Sequence, residues 1–153
     1  MPNYTVTRRV KLAPRHIFDV ISDVGSYREF LPLVERSTVR GGRRSTSSGD
    51  EQFSADLVVA YHPLRIEEHF ASEVSTNSET LTVRTTSNGQ ALKRLVSSWA
   101  IRPVGSDEAD VIFSVDYEIK GFFLRNIVSG MFDHAVRKIM NAFEERARSL
   151  YAS

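Results

Sequence analysis

The chain has 153 residues, 41% of them hydrophobic and 25% charged, and a net charge of +1. That length and balance fit one ordinary globular domain spanning 1–153; they exclude a disordered or low-complexity chain and give no general reason to expect nucleic-acid binding. There is no cysteine, which removes disulfides, thiolate metal sites and cysteine nucleophiles and suits a reducing compartment.

In chain order, residues 3–12 alternate, with Tyr4, Val6, Val10 and Leu12 on one face, the period of a half-buried strand. Arg8 breaks that face and is expected near a sheet edge. Pro14 opens a short helix whose Ile17, Phe18 and Ile21 recur at helical spacing and which ends by Gly25. Tyr27 to Pro32 reads as a second short helix stopped by the proline. From 34 to 119 the chain reads as strands and turns. Gly41 to Gln52 is expected to be a polar hairpin loop. Phe53, Ala55, Leu57, Val59 and Tyr61 alternate, and Leu64, Ile66, Phe70 and Val74 share a parity after the His62-Pro63 turn. Asn77-Ser78 turns into Leu81, Val83 and Thr85; Asn88-Gly89 is a hairpin signal; Leu95, Trp99 and Ile101 follow. Val111, Phe113, Val115, Tyr117 and Ile119 form the last strand. About seven strands in hairpin succession predict an antiparallel sheet and no doubly wound nucleotide fold. After Gly121 the period changes. Val128, Met131, Phe132, Ala135, Val136, Ile139, Ala142, Phe143, Ala147 and Leu150 predict a helix over 128–151, roughly 36 Å long, covering the sheet.

No run reaches the roughly 18 apolar residues of a membrane span, and the first residues lack the apolar core of a signal peptide. The expected location is the cytoplasm, with any membrane contact peripheral, at its inner face. Catalytic motifs are missing: no G-x-S-x-G, no P-loop, no G-x-G-x-x-G before a helix. His16, His62, His69 and His134 lack metal-ligand spacing. No metal and no catalytic cofactor are expected.

Four features remain. Glu68 shares the inward parity of Leu64, Ile66 and Phe70. It is either a strand-end or bulged glutamate reaching water, or a polar anchor in a cavity, because a bare carboxylate in an apolar medium is costly. Aromatic residues at Tyr27, Phe30, Phe53, Tyr61, Phe70, Trp99, Phe113, Tyr117, Phe132 and Phe143 fall on inward faces and suit a core first, a cavity lining second. Phe122 and Phe123, beside Lys120 and Arg125, either pack under the helix start or form an apolar lip for a membrane interface. Arg40, Arg43 and Arg44 form either a solvated hairpin tip or a phosphate contact.

Asp23-Val-Gly-Ser-Tyr27-Arg-Glu-Phe30-Leu31-Pro32 resembles the D-v-x-x-Y-p-x-F-l-P signature of the coenzyme Q-binding START-like family, within the polyketide cyclase/START superfamily. Asp50 to Tyr61, Ala91 to Trp99, the Val111 strand and Ala142-Phe-Glu-Glu-Arg146-Ala147 are similar to further family segments in the same order. Two departures stand out: Gln90 and Ala91 replace a Pro-Phe pair, and Leu33 and Val34 stand where a cysteine is common. The resemblance implies an α+β helix-grip fold, in which a curved antiparallel sheet of about seven strands, with two short helices after the first, wraps a long C-terminal helix. It implies non-enzymatic binding of coenzyme Q or a polyprenyl precursor as a carrier supporting respiration or quinone biosynthesis. The alternatives are a protein like the ribosome-association toxins, or a cyclase/aromatase-like enzyme for which Glu68 is the one nameable acid. The expected cavity lining is Leu57, Val59, Phe70, Trp99, Phe113, Val115, Phe132 and Val136, with Tyr27, Phe30, Leu31 and Pro32 at its mouth.

Overall fold

The computed structural model describes residues 3–32, 34–47, 49–61, 66–89, 92–119 and 122–151; the side chains of 3, 42–44, 46, 47, 61, 66, 92, 119 and 122–133 lie outside that description. The elements are β1 (Asn3–Val10), α1 (Pro14–Ser22), a 3-10 helix (Val24–Glu29), β2 (Val34–Ser47), β3 (Asp50–Tyr61), β4 (Ile66–Asn77), β5 (Thr82–Asn88), β6 (Leu92–Gly105), β7 (Glu108–Ile119) and α2 (Phe122–Tyr151). Seven strands make one antiparallel sheet in the order β1-β7-β6-β5-β4-β3-β2. β2 through β7 pair as successive hairpins. β1 and β2 are consecutive strands on opposite edges, so α1 and the 3-10 helix carry the chain across the sheet.

Cross-strand register defines the face toward α2. Tyr4 pairs with Val115, Val6 with Phe113, Trp99 with both Phe113 and Val83, and Phe53 with Val74. Directly opposed residues point the same way, so these form one apolar face. α2 meets it with Val136, Met140, Phe143 and Ala147, all buried at helical spacing. Met140 had escaped the periodicity reading. Leu150, expected on the stripe, is 52% exposed, so the covering contact ends at Ala147. The helix starts at Phe122, six residues before the expected start, and at 30 residues is about 45 Å long.

Two local expectations change. The segment expected as a second helix is a 3-10 turn beginning earlier, at Val24; the Phe30 and Leu31 amides both donate to the Tyr27 carbonyl, and Pro32 prevents continuation. Gly41 to Gln52 is not a long loop: β2 runs to Ser47 and β3 starts at Asp50. Register breaks between Arg40 and Arg44 and between Ser45 and Ser47 absorb extra residues in bulges, with Gly41 at φ +66° and the turn at Gly49 at φ +79°. Polarity misled because a strand at a sheet edge needs no apolar face. Gly89 sits beyond the end of β5 without a left-handed backbone, so its need for glycine is spatial.

Arg8 sits on edge strand β1, as expected, but points at α2. Its guanidinium donates to Asn141 Oδ1 at 2.6 Å and lies 3.9 Å from Glu144. On the other face, Arg9 pairs with Asp110 and lies 3.7 Å from Glu108. The hydrogen bond from Arg9 lowers the Asp110 carboxyl pKa below its ordinary value. That contribution to stability is present above the ordinary carboxylate range and lost as pH falls through the lowered value. An NMR titration is expected to place the Asp110 midpoint below 3.8 and to return it toward that value in Arg9→Ala.

Candidate ligand-binding site

The concave face has a closed half, and Phe143 is its hub. Its ring meets Trp99 at 5.0 Å, Tyr27 at 5.3 Å and Phe30 at 5.4 Å between centroids, all near edge-on, and Trp99 tilts against Phe113 at 4.4 Å. The Tyr27 hydroxyl donates to the Ile21 carbonyl, and the Arg146 guanidinium lies over the Phe30 ring at 5.2 Å while reaching Glu29 at 3.1 Å. Two sequence segments more than a hundred residues apart, Asp23–Pro32 and Ala142–Ala147, therefore meet ring to ring. Ser37 of β2 fastens the same corner: it donates to the Gly25 carbonyl at 2.9 Å and accepts from the Arg28 amide at 3.1 Å. Among the described residues, a space of about 20 Å³ lies in this half beside Val10, Ile21, Trp99 and Phe143, enough for one water.

The expected site residues divide accordingly. Trp99, Phe113, Val115 and Val136 are buried, and Tyr27, Phe30, Leu31 and Pro32 are half-buried; Trp99, Tyr27 and Phe30 meet at Phe143. Leu57 and Phe70 lie elsewhere, beside an open groove of about 630 Å³. Val59 is half-buried on the same inward parity as Leu57. The side chains of Phe122, Phe123 and Phe132 lie outside the described residues, as do those of Tyr61, Arg43 and Arg44 and the whole of His62. Arg40 pairs with Asp56 at 2.9 Å. His16 stacks on Tyr151 at 4.1 Å, His69 pairs with Glu67 at 2.8 Å, and no metal-holding cluster occurs among the described residues.

The groove lies beside the stretch of β4 that has no β5 partner among the described residues. Among the described residues β5 pairs with β4 only over Ala71–Asn77, while β4 itself extends back to Ile66. Leu57, Phe70 and Gly89 bound the groove with concave-face parity; Thr38, Asp56, Ala71 and Asn88 form one opposite-face row, and Arg36, Val58 and His69 the next. Glu68, on the concave face opposite Val59, is 7% exposed. Periodicity had placed it inward and left its exposure open. It is the one charged side chain in the buried class among the described residues.

Sequence reading missed the serine hydroxyls of this face. Ser72 and Ser87 are opposed and buried, with Oγ atoms 2.7 Å apart, and Thr85 and Ser97 are opposed in the adjoining row. Strict alternation was the available signal, since each serine falls on the same parity as the neighbouring apolar residues.

The chain belongs to the family described as polyketide cyclase/dehydrase and lipid transport, which matches residues 10–144. Its fold is the helix-grip fold of START-like proteins, as the resemblance implied. It is 30% identical over 148 residues to the mitochondrial coenzyme Q-binding protein COQ10 of Drosophila melanogaster, an alignment covering 95% of this chain and 58% of that one. The chain thus spans less than two thirds of the fly protein's length. It is 24% identical over 153 residues to the ribosome association toxin RatA of Rickettsia prowazekii, covering 98% of this chain and 99% of that one. The Zhui aromatase/cyclase of Streptomyces sp. R1128 shares the fold with TM-score 0.80 at 12% identity, covering 99% of this chain and 96% of that one.

Removing the hub should be expensive. Phe143→Ala is expected to cost about 3–5 kcal/mol in urea unfolding, and Arg146→Ala, which loses the cation–π contact and an exposed ion pair, about 1 kcal/mol. Equal costs for the two variants would contradict the assignment of Phe143 as hub.

Proposed function

We propose that the protein binds a quinone-type polyprenyl lipid, coenzyme Q or a precursor of it, without chemical turnover, and serves as a carrier or chaperone for it. The observation that carries this reading is the alignment with the fly coenzyme Q-binding protein over nearly all of this chain. The groove supports it in size, since small-molecule sites commonly occupy roughly 300–1,000 Å³; its lining is mixed, with Arg36, Thr38, Asp56, His69 and Asn88 among the described residues that bound it. In this reading Leu57 and Phe70 contact the ligand at the groove, and Val59, Trp99, Phe113, Val115 and Val136, which do not bound the groove, meet it only where it passes between the sheet and α2; the Phe132 side chain lies outside the described residues. Tyr27, Phe30, Leu31 and Pro32 frame a mouth, and the apolar lip expected at Phe122 and Phe123 belongs to side chains outside the described residues. No helix among the described residues is long and apolar enough to cross a membrane.

The end-to-end alignment with RatA favours a second reading, association with the large ribosomal subunit. It predicts salt-sensitive co-sedimentation that is lost when Arg40, Arg43 and Arg44 are neutralised. An enzymatic reading, prompted by the cyclases that share the fold, needs an acid or base at the ligand; if Glu68→Gln leaves every measured function intact, it loses its named residue.

Protein purified from cells is expected to yield quinone in an organic extract. Added quinone should quench the fluorescence of Trp99, the single tryptophan. Leu57→Asn should weaken that binding about tenfold with the fold retained. Extracts without quinone, together with unchanged fluorescence on titration, would sink the lipid reading.

A further inference from the structure

Glu68 occupies a position that an apolar residue could fill at lower cost. Its strand neighbours on the concave face are apolar: Val59 opposite, Phe70 next along β4, and Leu57 opposite Phe70. Burying a carboxylate among them needs compensation. The geometry at Gly89 shows where the carboxylate goes. A Cβ added there would lie 2.5 Å from Glu68 Oε1 and 2.9 Å from Phe70 Cε1. The carboxylate therefore takes the space a side chain at position 89 would fill, beside Gly89 and Phe70, which bound the 630 Å³ groove, while Glu68 itself does not bound it. A carboxylate offers about four lone-pair positions, so an interaction within the protein does not exhaust it.

An acceptor-only group discriminates between the two oxidation states of a quinone-type ring. The carbonyl oxygens of a quinone also only accept, and a carboxylate facing one is repelled. The hydroxyls of the quinol, or of a phenolic precursor, donate, and their bond to a carboxylate is charge-assisted and of the stronger kind. The paired hydroxyls of Ser72 and Ser87 lie two inward positions further along β4 and bond to each other.

We propose that Glu68 is a specificity-determining residue that accepts a hydrogen bond from a ring hydroxyl, so that the site prefers a quinol or phenol to the oxidised quinone. This rests on the lipid reading above and adds to it the chemical form of the ligand. The experiment is equilibrium dialysis of a short-chain benzoquinone and, under anaerobic conditions, its quinol. Wild-type protein is expected to bind the quinol about tenfold more tightly. Glu68→Gln, whose amide can donate to a carbonyl, should bring the ratio toward one, chiefly by tightening the quinone. Gly89→Ala, which must displace the carboxylate or the Phe70 ring, should shrink the ratio in the same direction. Tight and equal binding of both forms by wild type overturns the proposal and leaves the lipid reading standing. So does a preference that survives Glu68→Gln. If folded wild type binds neither form, the lipid reading fails and this proposal with it. Should Glu68→Gln fail to fold, the wild-type ratio and Gly89→Ala still decide.

Discussion

Phe143 joins three parts of the chain that have no local reason to meet. Its ring takes Trp99 from β6, Tyr27 and Phe30 from the turn after α1, and carries them on the same helical face as Val136, Met140 and Ala147. Edge-on aromatic contacts have a preferred geometry as well as area, so this packing holds the angle of α2 over the sheet as well as its presence there. Arg8 adds a polar tie from β1 to Asn141, and Arg146 ties back to Glu29. Both ties connect the last turns of α2 to opposite sides of the same corner.

Beside that corner the described residues leave a space of about 20 Å³, and the larger groove lies beside Leu57, Phe70 and Gly89. β5 is seven residues long between neighbours of twelve and fourteen, and the groove begins where it ends. Among the described residues part of β4 has no β5 partner there, and the groove is bounded by residues of both faces of the sheet. Gly89 and Glu68 occupy that place together, the glycine giving up volume that the carboxylate takes.

Much of the fold was legible because period and burial agree wherever one face is covered. Trp99, Phe113, Val115 and Phe70 were each placed inward by alternation, and each is buried. Legibility failed where that coupling lapses. The β2–β3 ladder between Arg40 and Asp50 is polar on both sides and bulged, so its strands left no alternation to read. Ser72 and Ser87 are buried but satisfy each other, so nothing in their chemistry marked them as interior. Leu150 kept the helical period past the point where α2 still has a sheet beneath it.

From the sequence alone came the element types, the hairpin succession, the covering helix and the family, since these depend on local periodicity and on motifs a few residues long. Tertiary structure alone decided that the Tyr27–Phe30 and Phe143–Arg146 motifs are two halves of one contact, that the space near the ligand-lining candidates lies beside Leu57 and Phe70, and that Glu68 is buried against Gly89. Each of these is a meeting of residues distant in sequence. Periodicity says which way a side chain points, and only the path of the whole chain says what it points at.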